Sequence, residues 1–236
     1  MTRNSDQQTH IPFVFPGLER IQCCFTTRLG AHRTESGVHI KKIQEMLAAP
    51  SWLDMEQTHG TDMAFICEPN SQYADSRPKA DALATVLSNQ ALVVSVADCQ
   101  PLLLAHTSGR FIAALHVGWR ANRADAPGLW VKRMCSEYKI WPQEIMAVRG
   151  PSLGPAWSEF VNFQQEWGRE FEGYFQPQTQ AVDLWDLTRD QLQQAGLRPD
   201  CIFSLDLCTY SLPQLFYSYR RDKTIGRQAG IIWISD

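Results

Sequence analysis

Short apolar runs, each cut off by Gly, Pro, Asn or Asp, constrain this chain more than any other feature. They are Ile21–Thr27, Met63–Cys67, Ala91–Ala97, Leu102–His106, Phe111–His116, Ile145–Val148, Ile202–Leu207 and Ile231–Ile234. Several are apolar at nearly every position, the pattern of strands covered on both faces. Helical patterns lie between them. Ile40, Ile43 and Leu47 fall on one stripe, as do Leu129, Met134 and the neighbouring Val131. Leu184–Ala195 reads as a helix stopped at Gly196, with Pro199 shortly after. Leu102–His116 reads as a hairpin turning at Thr107-Ser108-Gly109. Strands and helices mix without regular βαβ alternation, so an α+β or mixed-sheet layered fold is expected rather than a doubly wound parallel one. The first ten residues are expected to fray.

With 25 acidic and 22 basic side chains the formal net charge is −3. A nucleic-acid binder would carry a basic excess, so that class is excluded. The longest purely apolar stretches, such as Phe111–Leu115, are far shorter than the roughly 20 residues of a spanning helix, and no membrane partner is expected. Met1–His10 is polar and lacks a secretion-signal pattern, which together with scattered cysteines suggests a cytoplasmic chain. The seven cysteines, at 23, 24, 67, 99, 135, 201 and 208, form no C-x-x-C and no even ladder. They read as reduced thiols rather than a disulfide framework.

Three residues stand where apolar runs give way to polar loops: His59 in Gln57-Thr58-His59-Gly60, Cys99 in Ala97-Asp98-Cys99-Gln100-Pro101, and His116 in His116-Val117-Gly118-Trp119-Arg120. One thiolate and two imidazoles suit zinc, and three protein ligands leave a fourth position open. The same atoms also suit a Cys99 nucleophile with His116 as its base, or plain buried side chains. Spacing does not separate these readings. Tyr219–Gln228 packs Arg220, Arg221, Lys223 and Arg227 into one loop, a pattern that can grip phosphate or simply be solvated. Arg28 and Arg120 are single candidates of the same kind. Gly150-Pro151-Ser152-Leu153-Gly154-Pro155 either presents backbone N–H groups to a ligand or is a simple turn. The tryptophans sit mostly within apolar patterns and read as core rather than as sugar-stacking platforms.

Taken in order, these segments resemble the laccase-domain family, also called the multicopper polyphenol oxidase or purine nucleoside phosphorylase family, which includes the bacterial peptidoglycan editing factor. The likeness runs from about Thr26 to Ile234 as a single domain. It is carried by Thr26-Thr27-Arg28, the His59 and Cys99 segments, Ala80-Asp81-Ala82-Leu83-Ala84-Thr85, and His116–Arg120. It continues through Gly150–Pro155, Asp206-Leu207-Cys208-Thr209, Ser218–Asp222 and Gly226-Arg227-Gln228. The resemblance implies a four-layer α/β/β/α fold like that of cysteine hydrolases, with His59, Cys99 and His116 as ligands of a catalytic zinc. It implies phosphorolysis of adenosine, inosine, guanosine and S-methyl-5′-thioadenosine, and deamination of adenosine. The partners are then a purine nucleoside and phosphate, with Arg28, Arg220, Arg221 and Arg227 as anion-binding candidates. Asp98 is the candidate for moving protons or orienting a ligand; monomer and homodimer both stay open.

A multicopper centre needs many imidazoles, largely in His-x-His pairs. This chain has six histidines (10, 32, 39, 59, 106 and 116), none of them two apart. Copper can still occupy the Cys/His/His site. The rival readings are a polyphenol oxidase with copper, a Cys99/His116 hydrolase or amidase editing a cell-wall precursor, and a binding protein without turnover. The chain departs from the family pattern in the short Leu29–Lys42 loop, in Ala121 where glycine is usual, and in Ala156-Trp157-Ser158 where Cys and Tyr are common.

Overall fold

The computed structural model describes residues 8–30, 32–34, 37–39, 47, 51–68, 77–223 and 226–236. In chain order the strands are β1 (His10–Phe13), β2 (Ile21–Thr26), β3 (His32–Thr34), β4 (Gly37–His39), β5 (Ser51–Leu53), β6 (Met63–Ile66), β7 (Ala82–Thr85) and β8 (Gln90–Val96). They continue as β9 (Gln100–His106), β10 (Ile112–Val117), β11 (Ile145–Arg149), β12 (Phe175–Gln176), β13 (Ala181–Val182), β14 (Ile202–Ser204) and β15 (Gln228–Ile234). Four helices matter for the site: α1 (Trp119–Arg123), α2 (Ala126–Tyr138), α3 (Leu184–Gln194) and α4 (Tyr219–Asp222).

Two mixed sheets face each other. One has the order β1-β2-β15-β8-β5, the other β14-β11-β9-β10-β7-β6, and in each an edge strand runs parallel to its neighbour while the centre is antiparallel. Side-chain alternation explains the stacking. In β8, Leu92, Val94 and Val96 point between the sheets, where they meet Leu103, Ala105, Ile112 and Ala114 of the second sheet. The alternate residues Ala91 and Val93 point the other way, with Ile231, Trp233, Leu47 and Trp52 around them. On the second sheet, Leu102, Leu104, Ala113 and Leu115 bury against Trp130, Val131 and Met134 of α2 and Leu192 of α3. Leu47, itself helical, packs on the face of the first sheet that points away from the second. Each fully buried Leu, Ile or Phe here contributes roughly 1.5–3 kcal/mol. The expected α+β class with mixed sheets is therefore what the chain adopts.

Local expectations fare unevenly. The hairpin forms: β9 and β10 pair antiparallel, the Gly109 N–H reaches the His106 carbonyl at 2.7 Å, and Gly109 takes a φ of +74°. The fraying expected over the first ten residues does not extend to the last of them, because His10 pairs with Thr26 and Thr27 donates to the Thr9 carbonyl at 2.9 Å. Ile40 and Ile43 lie outside the described residues. Leu129 does not share the buried stripe of α2; it is 41% exposed, because at roughly 100° per residue it stands well away from Met134. The run Ile202–Leu207 ends as a strand at Ser204, after which the Leu207 N–H turns back to the Leu205 carbonyl. Among the described residues no helix is long and apolar enough to cross a membrane. All seven cysteines are free thiols.

Candidate metal centre

Three strand ends converge on one point. Cys99 sits where the chain passes from β8 in one sheet to β9 in the other, and His116 near the end of β10. His59 lies in the turn before β6, with the left-handed φ of 60°. Their ligand atoms, one sulfur and two ring nitrogens, all lie within 4.8 Å of one another, and the two imidazoles meet edge to face at 4.7 Å. Gly118 permits this approach: a Cβ there would stand 3.2 Å from Cys99 Sγ and 3.4 Å from the His59 ring.

Asp81, fully buried just before β7, ties the group together. One carboxylate oxygen accepts from His116 Nδ1 at 2.7 Å and from the His59 N–H at 3.0 Å. The other accepts from the Gly60 N–H at 2.8 Å and from the Thr58 N–H and hydroxyl at 3.1 and 2.8 Å. With Nδ1 held, Nε2 is the His116 nitrogen left to face a cation, the carboxylate–histidine arrangement that fixes ring and tautomer at metal sites. Burial pushes the Asp81 carboxyl up, yet the His116 ring, the Gly60 N–H and the Thr58 hydroxyl outweigh it and hold it at about 2. Burial likewise raises the Cys99 thiol, but the charge of His116 and hydrogen bonds from both imidazoles bring it down to about 6. His116, lowered by burial, is lifted to about 9 by the Cys99 thiolate and the Asp81 carboxylate. The donor set, one thiolate sulfur and two ring nitrogens, fits a divalent ion such as zinc. Among the described residues no other cluster of three such donors occurs.

Asp98, the candidate for moving protons or orienting a ligand, lines the cavity beside Cys99, whereas the carboxylate that bonds to the His116 ring is Asp81. The Asp98 carboxylate accepts from the Thr209 hydroxyl at 2.7 Å and the Arg220 N–H at 2.6 Å, so it fastens α4 to the Cys99 turn. The signal for Asp81 was present in Ala80–Thr85, but its partner is 35 residues away and is set by the pairing of β7 with β10.

A cavity of about 570 Å³ surrounds the group, lined among others by Gln57, Trp119, Arg120, Phe160, Leu184 and Tyr219. Two of the four proposed anion-binding arginines, Arg220 and Arg227, line it, together with Arg77, Arg120 and Lys223. Arg28 does not: its guanidinium stacks on Tyr217 at 4.8 Å and donates to the Pro213 carbonyl. Arg221 does not either, because it is engaged with the Thr209, Tyr210 and Phe216 carbonyls and with Asp222. The Gly150–Pro155 loop faces inward. Its N–H groups go to Pro101, Leu207 and Asp98 carbonyls and to Cys208 Sγ, leaving none of those four for a ligand. Ala121 packs into the core under α1 rather than toward the cavity.

A buried polar network adjoins the site. Gln100 Nε2 meets Thr188 Oγ1 at 2.8 Å, Asn122 Oδ1 at 3.1 Å and the Leu184 carbonyl at 3.2 Å, bracing β9 against α1 and α3. Gln100 and Ser158 both line the cavity, and Gln100 Oε1 and Ser158 Oγ are buried without a hydrogen-bond partner among the described residues. Of the tryptophans, Trp130, Trp167 and Trp233 are core as expected, but Trp141 and Trp157 are exposed, Trp157 stacking on Tyr210 at 4.0 Å.

The chain is similar to known proteins in sequence and in fold. Residues 26–235 match the family model described as multi-copper polyphenol oxidoreductase laccase. A purine nucleoside phosphorylase of Xylella fastidiosa (strain Temecula1) is 33% identical over 205 residues, 82% of this chain and 76% of that protein. The purine nucleoside phosphorylase YfiH of Escherichia coli (strain K12) is 33% identical over 220 residues, 87% of this chain and 85% of its own. Among solved structures, the hypothetical protein YfiH of Bacillus licheniformis superposes with a TM-score of 0.83 at 21% identity, covering 98% of each chain. YlmD from Geobacillus stearothermophilus gives 0.82 at 22% identity, covering 99% of this chain and 98% of that one. These two show the fold.

Proposed function

The chain belongs to the multi-copper polyphenol oxidoreductase laccase family, and from that membership we propose that it is a zinc-dependent purine nucleoside phosphorylase that also deaminates adenosine. The single observation carrying this reading is the convergence of His59, Cys99 and His116 at a cavity of about 570 Å³ lined by several cations. The relatives named purine nucleoside phosphorylase support it. Zinc in this group would supply a Lewis acid with one coordination position open.

The chain's own residues divide the remaining work. Asp81 holds His116 in the tautomer that presents Nε2, and Gly118 keeps the backbone clear of Cys99. Arg120, Arg220, Lys223 and Arg227 offer charge for phosphate against the sugar, so that its oxygen forms a bond to C1′ as the C1′–N9 bond breaks. The purine leaves with the electron pair of that bond and takes up the proton that phosphate gives up, so the products are a neutral free base and ribose 1-phosphate. In the deamination, the oxygen of water bonds to C6 of adenosine as the C6–N6 bond breaks, giving inosine, and the amino group leaves as ammonia. Six histidines with no two at His-x-His spacing, and one three-donor cluster among the described residues, favour this chemistry over a multicopper oxidase; copper in the same three-donor site stays a candidate occupant.

Incubating the zinc-loaded protein with adenosine, with and without phosphate, tests the reading by chromatography. Adenine should appear only with phosphate, and inosine in both. Neither product under either condition overturns it. One observation favours a second reading: the depressed Cys99 thiol beside a raised His116 is the pairing a thiolate nucleophile needs, as in a hydrolase or amidase acting on a cell-wall precursor. A metal-free protein labelled at Cys99 by a thiol-directed acyl analogue would support that reading instead.

A further inference from the structure

We propose that Gln57 is a positioning residue for the metal centre: its carboxamide clamps the His59 turn onto the backbone of Ser95 in β8 and so sets where the His59 ring stands relative to Cys99. The inference rests on the metal-binding reading above and adds a residue that acts on the centre through the backbone.

The three proposed ligands are not held alike. His116 is buried and fixed by Asp81, and Cys99 is half-buried at the crossing between the sheets, but His59 is exposed. Packing therefore contributes little to its placement, and the turn depends on its hydrogen bonds. Asp81 supplies those from the second sheet, through the N–H groups of Thr58, His59 and Gly60. None of these bonds ties the turn to the first sheet, from whose strand β8 the chain runs on to Cys99.

Gln57 makes that tie. Its Nε2 donates to the Ser95 carbonyl at 2.8 Å, and its Oε1 accepts from the Ser95 N–H at 2.9 Å. The carboxamide thus stands where a peptide group of a neighbouring strand would stand. Its orientation is fixed, since the carbonyl takes only a donor and the N–H only an acceptor. The place is open to it because β5 runs beside β8 only from Gln90 to Leu92. After β5 the chain leaves that edge: Glu56 bridges to Lys79, its N–H going to the Pro78 carbonyl at 2.9 Å, just ahead of Asp81. The turn is therefore bound on one side to the segment carrying Asp81 and on the other, through one side chain, to β8. Ser95 lies four residues before Cys99, so the clamp joins the His59 and Cys99 arms over a short run of chain. Gln57 lines the cavity, yet both ends of its carboxamide are engaged by Ser95, which assigns it to holding the turn rather than a ligand.

The same clamp recurs away from the metal group and gives a matched control. Gln228 Oε1 accepts from the Tyr217 N–H at 3.0 Å, and its Nε2 donates to the Tyr217 carbonyl at 3.1 Å. Gln57→Glu keeps the shape but sets a carboxylate oxygen against the Ser95 carbonyl, and Gln57→Leu removes both bonds while keeping bulk.

Zinc affinity by competition with a chelating dye, and the visible absorption of bound cobalt(II), test this on folded wild type, Gln57→Glu, Gln57→Leu and Gln228→Glu. Tetrahedral cobalt absorbs strongly, and a site opened to more water absorbs weakly. Both Gln57 variants should bind zinc about ten-fold more weakly, with less cobalt absorption per bound ion. Gln228→Glu should melt lower to a similar extent while its zinc affinity and cobalt absorption stay at wild type. A wild-type zinc affinity in the Gln57 variants, or in whichever of them folds, overturns the inference and leaves the metal centre standing. An equal loss in Gln228→Glu also overturns it, since the effect is then one of general stability. A wild type that binds neither ion overturns the inference and the zinc-dependent function together.

Discussion

Asp81 shows how one side chain organises the whole centre. Its carboxylate fixes the His116 ring and caps the turn carrying His59, so Asp81→Asn should lower zinc affinity by roughly ten- to a hundred-fold, read by competition with a chelating dye. The sign of its pH effect follows from a folded value of about 2, below the free value of 3.8. Above pH 4 the carboxylate stabilises the fold, and that contribution is lost as pH falls from about 4 through about 2. Acid unfolding of the metal-free wild type should therefore steepen in this window, and Asp81→Asn should lose the extra slope. Cys99 gives a second reading at this scale. In metal-stripped protein its alkylation rate should rise with pH through about 6, and zinc should suppress it. Cys24, whose thiol burial pushes up to about 12, and Cys23, raised the same way, should stay unlabelled while the protein is folded. Peptide mass spectrometry distinguishes them; alkylation of Cys99 that begins only near pH 9 would contradict the ion-pair geometry.

Glycine positions connect elements to the site in two different ways. A Cβ at Gly150 would lie 2.2 Å from the Phe25 ring, which is buried between the sheets. Gly150→Ala should then destabilise toward the upper end of roughly 1–3 kcal/mol, lowering Tm by about 5–10 °C, with little effect on zinc bound per folded chain. Gly118→Ala should do the reverse, weakening metal binding with a smaller change in melting, because its Cβ would press on Cys99 and His59. Most central strands were legible because they are buried on both faces and so are apolar throughout, as in β8 and β9. The strand β7 was not: Ala82-Leu83-Ala84-Thr85 is half alanine, and its strand character comes from pairing with β10 and β6. Arg220 and Arg221 could not be told apart in the sequence, since adjacent residues of α4 point roughly 100° apart and only one lines the cavity. That Arg28 lies away from the cavity lining was not legible, because Tyr217 and Pro213, which hold it, come from a segment nearly 190 residues later.

At the scale of the whole molecule, the site is a consequence of two stacked sheets. Cys99 stands at the crossing between them, His116 ends a central strand of one, and Asp81 ties the His59 turn to that strand. The proposed ligands were legible as strand-end residues, but their meeting was not, since gaps of 40 and 17 residues are closed only by long-range pairing of β7, β9 and β10. Asp98 adds the C-terminal cations to the same assembly by holding the Arg220 N–H. The most direct measurement is metal content per chain, by inductively coupled plasma mass spectrometry, for wild type and the His59→Ala, Cys99→Ala and His116→Ala variants after zinc loading and desalting. About one zinc per wild-type chain, falling below about a tenth in each variant that keeps its circular dichroism, is the expected result. A wild type that retains no metal, or variants that retain it undiminished, would contradict the account.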